Sequence, residues 1–150
     1  MQKITTFLWF DDQAEEAIQH YSSIFKNGRV VNELRQGGKL ITATFELDGQ
    51  QFIALNGGPN FKFSEAISLL VNCETQQEID YFWEKLSDGG SKSQCGWLKD
   101  RFGLSWQVVP TALGRLVTDP DPKKSKAVWD ALMKMSKIVI ADLQKAGDSA

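Results

Sequence analysis

The chain has few of the side chains that metal and nucleophilic chemistry require. Its 150 residues include one histidine, His20, and two cysteines, Cys73 and Cys95. The cysteines stand in no metal-like spacing, and so long a chain with so few is not a disulfide scaffold. Both read as free thiols in a reducing compartment. His20 lies beside Tyr21 on a helix and reads as a surface residue. Net charge is only −2, so no basic field exists to draw nucleic acid. The basic residues are scattered, apart from Lys123, Lys124 and Lys126 at a helix start. No run approaches the ~18 apolar residues of a membrane span. Met1 to Thr5 shows no long apolar stretch of the signal-peptide kind. A cytoplasmic protein with no nucleic-acid and no membrane partner is expected.

Catalytic signatures are sparse as well. Gly37-Gly38 and Gly57-Gly58 sit in hairpin or loop contexts, and neither opens a helix as a nucleotide-binding turn does. The order of elements is wrong for a doubly wound sheet. No nucleophile elbow or Cys/His pairing is evident. Asp11 and Asp12 are explained as capping groups of the following helix rather than as paired catalytic carboxylates. Cys95 lies near Lys99 in sequence, which can lower a thiol pKa, but without a histidine nearby it reads as structural.

What is present is ordinary globular material, 42% hydrophobic and 24% charged. A domain of this length hides roughly 68–70% of its unfolded surface, enough for a core without staples. Ile4 to Phe10 reads as a strand. A helix follows from Asp12-Gln13-Ala14-Glu15, where an acidic N-cap precedes a glutamate three residues on. Its apolar face is Ala14, Ala17, Ile18, Tyr21, Ile24 and Phe25, and Asn27-Gly28 stops it. Strands are expected at Arg29 to Arg35, Lys39 to Leu47 and Gln51 to Leu55, the last two joined by Asp48-Gly49. After a loop through Phe63 come a strand at Ala66 to Asn72 and a capping box at Thr75-Gln76-Gln77-Glu78. A helix carrying Ile79, Phe82, Trp83 and Leu86 follows, ended by Gly89-Gly90. Hairpin-like strands are expected near Lys92 to Lys99 and at Leu104 to Val109.

The run from Cys95 to Pro110 is the most informative stretch. Apolar strands flank a polar turn, Asp100 to Gly103. Strand alternation sends Ser105 and Gln107 to one face and Leu104, Trp106 and Val108 to the other. An amide on so apolar a strand points to a lined cavity. The two halves also repeat. Leu8 and Leu69, Phe10 and Val71, Ile18 and Ile79, Tyr21 and Phe82, Phe25 and Leu86 share one spacing of 61 residues. Each half reads β-α-β-β-β. Asp119-Pro120-Asp121-Pro122 then breaks the chain before one long helix from Lys123 to Lys145. Its apolar stripe is Val128, Ala131, Leu132, Met135, Ile138, Val139 and Leu143. The Met133/Met135 pair can line a groove, but core packing is the simpler reading.

Together these features resemble the vicinal oxygen chelate superfamily, which includes glyoxalase I, bleomycin-resistance proteins and extradiol dioxygenases. The closer resemblance is to its PhnB-like branch, labelled 3-demethylubiquinone-9 3-methyltransferase domain. The resemblance is carried by Phe7-Leu8-Trp9-Phe10 with Ala14-Glu15-Glu16-Ala17 and Tyr21. It continues through Leu55-Asn56-Gly57-Gly58-Pro59, Phe61-Lys62-Phe63, Glu65-Ala66-Ile67-Ser68 and Cys95 to Pro110. The C-terminal helix with Met133, Met135, Lys137 and Ile138 also fits. The resemblance implies an α+β fold of two tandem βαβββ modules forming a cup-shaped mixed sheet, plus a C-terminal helix, completed in a homodimer. The chain is then a single domain, with module one about 1–60, module two about 61–118 and the helix about 122–146.

Enzymes of this superfamily hold a divalent metal inside the cup, where it acts as a Lewis acid. By strand register the resemblance puts those ligand positions at Phe7 (or Thr6), Asn56, Ser68 and Gln107. Only Gln107 is a familiar ligand type. Hard cations want carboxylates, and zinc or nickel wants imidazole or thiolate. No metal and no cofactor are therefore expected. What remains is an aromatic-lined pocket for a small molecule, with Phe7, Trp9, Asn56, Phe61, Phe63, Ser68, Trp97, Ser105 and Gln107 as its candidate residues. The competing explanation is that the aromatics fill the cup or a dimer interface. The other functional readings are a metal-dependent lyase, isomerase or dioxygenase and, from the family label, a methyltransferase. No catalytic residue stands out.

Overall fold

Period-two alternation builds two sheets of the same design. The computed structural model describes residues 2–150 and divides into two compact units, one ending at Phe63 and the other running Ser64–Ala150. The first unit holds β1 (Thr6–Phe10), α1 (Ala14–Ile24), β2 (Arg29–Gln36), β3 (Lys39–Leu47) and β4 (Gln50–Asn56). Its sheet order is β1-β4-β3-β2, with β1 parallel to β4 and the other neighbours antiparallel. Leu8, Phe10, Ala43, Phe45, Phe52 and Ala54 are buried on the face under α1. That helix contributes Ala14, Ala17, Ile18, Tyr21 and Ile24. Each large side chain so covered stabilises the unit by about 1.5–3 kcal/mol. The opposite face, with Phe7 and Trp9 beside Ile53 and Leu55, is less covered.

The start of α1 differs from the sequence expectation. Neither Asp11 nor Asp12 caps it. Gln13 is the N-cap and makes no side-chain cap bond. The Ala14 N–H instead donates to Asn56 Oδ1 at the end of β4, at 2.8 Å. A first-turn donor must find some acceptor, and here the sheet supplies it.

The second unit repeats the plan with β5 (Ser68–Cys73), α2 (Gln76–Ser87), β6 (Ser91–Lys92), β7 (Trp97–Lys99) and β8 (Ser105–Pro110). Sheet order is β5-β8-β7-β6, with β5 parallel to β8. The Thr75 hydroxyl accepts the Glu78 N–H, as its capping box requires. Ile79, Trp83 and Leu86 of α2 are buried, as are Val71, Cys73, Leu98, Trp106 and Val108 of the sheet. Of the pairs spaced by 61 residues, Leu8 and Leu69, Phe10 and Val71, and Ile18 and Ile79 occupy matching strand and helix positions in the two units, whereas Phe25 falls just past the end of α1. β6 and β7 have only two and three residues, shorter than the expected hairpin from Lys92 to Lys99.

The expected long C-terminal helix is two helices, and a short one precedes them. α3 (Leu113–Val117) precedes the Asp119–Pro122 break, and α4 (Pro122–Leu132) is separated from α5 (Ile140–Asp148) by a bent segment. The Asp121 carboxylate caps α4 by accepting the Lys123 N–H. The interruption has identifiable partners. The N–H groups of Cys95 and Gly96 donate to the carbonyls of Met135 and Ser136, each at 2.8 Å. Gln76 of α2 accepts the Ile140 N–H and donates to the Ile138 carbonyl. Backbone groups that a continuous helix would pair internally are paired with the sheet and α2 instead. Ile138 thereby reaches full burial with Val128, Leu132 and Leu143. Among the described residues, no helix is long and apolar enough to cross a membrane.

Candidate functional site

Five of the nine candidate residues lie in the first unit. Trp9, on β1, donates its indole N–H to the Gly58 carbonyl at 2.9 Å. The edge of Phe61 meets it at a ring separation of 4.9 Å. Gly57 is required by this arrangement, because a Cβ there would stand 2.4 Å from the indole ring. Phe63 packs edge-on against Phe10 instead, at 5.2 Å. Phe7 points away from α1 and is 54% exposed. Asn56 is fully engaged in the fold, since Oδ1 takes the Ala14 N–H and Nδ2 donates to the Leu40 carbonyl. Its role here is to tie α1 to the sheet.

The other four lie in the second unit, on the sheet face turned away from α2. In β8, Gln107 is flanked by Leu70 of β5 and Trp97 of β7. Its Nε2 donates to Ser68 Oγ at 2.9 Å. Ser105 is two residues back on β8 and almost wholly buried. Around Gln107 opens a groove of about 520 Å³, which falls in the size range of small-molecule sites. Sheet residues Leu70, Trp97, Gln107 and Val109 form its floor, and the turn at Ser93–Cys95 one end. Leu113, Trp129, Leu132 and Met133 form its wall.

That wall was not expected from the sequence. Met133 is 55% exposed at the groove rather than packed in a core. Trp129 is the signal that could have found it. It lies off the apolar stripe of α4, where a large aromatic has no core to enter, and it remains 45% exposed. Cys95 also lines the groove, its thiol donating to the Leu132 carbonyl. Cys95 and Gly96 both adopt left-handed backbone, φ 59° and 84°. The Gly96 conformation suits glycine, and a Cβ there would press on the Val108 carbonyl at 2.7 Å. This turn delivers the two N–H groups that hold the bent segment after α4.

The positions at which the superfamily holds a metal do not fit one here. Phe7 has no donor atom, both polar atoms of the Asn56 amide are committed, and the Ser68 hydroxyl faces the Gln107 amide. Among the described residues no group of three or more His, Cys, Asp or Glu side chains gathers. A neutral amide and a hydroxyl are too few and too weak to displace the water shell of a divalent cation. His20 is half-buried on α1 beside Tyr21, not on the surface as expected. Cys73 lies under α2, and burial pushes its thiol up to about 11, so it stays protonated at neutral pH.

Two mixed sheets, each with one parallel pair, give this chain the glyoxalase/bleomycin-resistance/dioxygenase fold. A domain of that class from Frankia sp. EAN1pec is similar over 73% of this chain and 92% of its own, at 14% identity and a TM-score of 0.53. The fosfomycin resistance protein FosX from Listeria monocytogenes is similar over 76% and 96%, at 13% identity and a TM-score of 0.53. More narrowly, the chain belongs to the family described as 3-demethylubiquinone-9 3-methyltransferase, whose model matches residues 2–109. A putative 3-demethylubiquinone-9 3-methyltransferase, PhnB protein, from Bacillus cereus is 39% identical. It is covered over 100% of its length by 73% of this chain, with a TM-score of 0.69. No curated protein matches the chain. The family match ends before α3, so it does not reach Met133, Met135, Lys137 and Ile138, which the sequence reading had included in the resemblance.

Proposed function

We propose that this protein is a metal-free small-molecule-binding member of the glyoxalase/bleomycin-resistance fold. The observation that carries the reading is the groove around Gln107, with tryptophans on its floor and its wall. Apolar area there supplies affinity, and the Gln107 amide on the floor supplies orientation. At the positions that the resemblance gives to a metal, Phe7 offers no donor atom, the Asn56 amide is committed to the fold and Ser68 bonds Gln107, which supports binding without an ion. Ligand lining is assigned to Trp97 and Gln107. Ser68 acts by holding the Gln107 amide, and Ser105 lies on the same face. Trp9 with Phe61 forms an aromatic contact that stands ready as lining in the first unit beside the exposed Phe7, whereas Phe63 packs on the buried Phe10 of the opposite face. We assign Asn56 to the fold.

The protein is further proposed to work as a cytoplasmic homodimer. Two free cysteines support a reducing compartment, and the exposed Phe7 and Leu34 support a partner surface. Thermal-shift screening tests the central reading. Small aromatic molecules are expected to raise the melting temperature, whereas manganese, nickel and zinc are not. A large shift with a metal and none with organic molecules would contradict it.

The family description favours a second reading, methyl transfer. It requires a site for the methyl donor, yet neither sheet is doubly wound and no glycine-rich turn opens a helix. Calorimetric titration with S-adenosylmethionine decides it. Heat of binding would support methyl transfer, and its absence would end it.

A further inference from the structure

We infer that the groove selects an uncharged aromatic molecule carrying one hydrogen-bond donor, an O–H or N–H group presented to Gln107; this rests on the groove being the ligand site. Charge is the first argument. Among the described residues lining the groove, none is charged. Lys99, two residues from Trp97 on β7, is already paired with the Glu65 carboxylate. An anion entering the groove would give up hydration and meet no cation, and a cation would meet no carboxylate.

The second argument is the Gln107 amide, the one amide on the groove's floor. Gln107 Nε2 is committed to Ser68 Oγ, while Gln107 Oε1 accepts no hydrogen bond from the described residues. The Ser68 contact fixes the amide, so the acceptor is presented in one orientation. A ligand donor completes it, and a ligand without one leaves a partly buried carbonyl unpaired. The third argument is surface. Leu70, Trp129 and Met133 rim the groove with 48%, 45% and 55% of their surface exposed. A flat ring laid between them covers the tryptophan face and the thioether together, contacts that aromatic ligands make best.

Calorimetric titration of the full chain at pH 7 with three probes of one shape tests the inference. They are 2-naphthol, 2-methoxynaphthalene and 2-naphthoate. We expect 2-naphthol to bind about tenfold more tightly than 2-methoxynaphthalene, the size of one hydrogen bond, and 2-naphthoate to bind most weakly. Gln107→Leu should abolish the preference for the naphthol while still binding 2-methoxynaphthalene. Trp129→Ala should weaken 2-naphthol and 2-methoxynaphthalene alike. Equal binding of all three, tightest binding of the naphthoate, or a preference unchanged in Gln107→Leu would overturn the inference and leave the groove as a ligand site. If no probe binds to folded protein, both this inference and the ligand reading fall.

Discussion

Asp100 shows how much one side chain can organise. It is only 3% exposed. One carboxylate oxygen accepts the N–H groups of Phe102 and Leu104, and the other accepts the indole N–H of Trp106 at 2.9 Å. Asp100→Ala strands three donors, two of them in buried bonds. Chemical denaturation should show a loss of about 2–4 kcal/mol, and no loss would contradict this role. The turn itself was legible, because Asp100-Arg101-Phe102-Gly103 is polar punctuation between two apolar runs. The role of Asn56 was not, because its partner Ala14 lies 42 residues away and leaves no local signature. The resemblance placed Asn56 at a metal position, whereas its amide serves as a helix cap. Asn56→Ala should destabilise the chain by about 1–2 kcal/mol, the usual effect of a lost cap, without weakening probe binding at the groove. Cys73 gives a pH-dependent expectation. Burial raises its thiol from 9.0 to about 11, so the folded chain keeps a proton that the unfolded chain releases. The stability it contributes is full below about pH 9 and is lost as pH rises towards 11. At pH 8 iodoacetamide should leave Cys73 unmodified in the folded protein and label it after denaturation, read by peptide mass spectrometry. Prompt labelling of the native protein would contradict that.

At the scale of elements, the helix after Pro122 marks the limit of periodicity. The apolar stripe continues from Val128 to Leu143 with no Gly or Pro between them, so spacing alone reads as one helix. The interruption is decided by groups distant in sequence. Gln76 bonds Ile138 and Ile140 across 62 and 64 residues, and the Cys95–Gly96 turn takes the carbonyls of Met135 and Ser136. The pattern did identify the buried face correctly, because Val128, Leu132, Ile138 and Leu143 all reach the core. Removing the tether should expose the segment. Gln76→Ala is expected to accelerate hydrogen exchange at Ile140 and to open residues 133–139 to limited proteolysis, at a stability cost of about 1–2 kcal/mol. Unchanged exchange would show that the core contacts of Ile138 hold the bend alone. The β-rich elements were more legible. Alternation and the Asp48-Gly49 turn were enough to place most strands, the Thr75 capping box placed α2, and the missed cap of α1 moved no boundary by more than a residue or two.

For the whole molecule, the tandem repeat was the strongest legible feature. One spacing aligned both a strand and a helix, and the two units have matching strand orders. Gln107 was also legible, as an amide alternating with apolar neighbours. The groove around it was not, because its wall belongs to α3, α4 and the residue after α4, beyond the stretch that the family model matches. A site formed by folding an extension onto a sheet has no signature in either segment alone. The central claim is that a small molecule occupies this groove without a metal, and it is tested most directly by heteronuclear NMR. The titration of the labelled full chain with 2-naphthol, in the presence of a chelator, follows the five tryptophan indole N–H signals and the side-chain amide of Gln107. The account predicts saturable shifts at Trp97, Trp129 and Gln107, with the buried Trp83 of α2 and Trp106 of β8 left unmoved. Shifts that appear only when a divalent metal is supplied, or that leave Trp97, Trp129 and Gln107 unmoved, would contradict it.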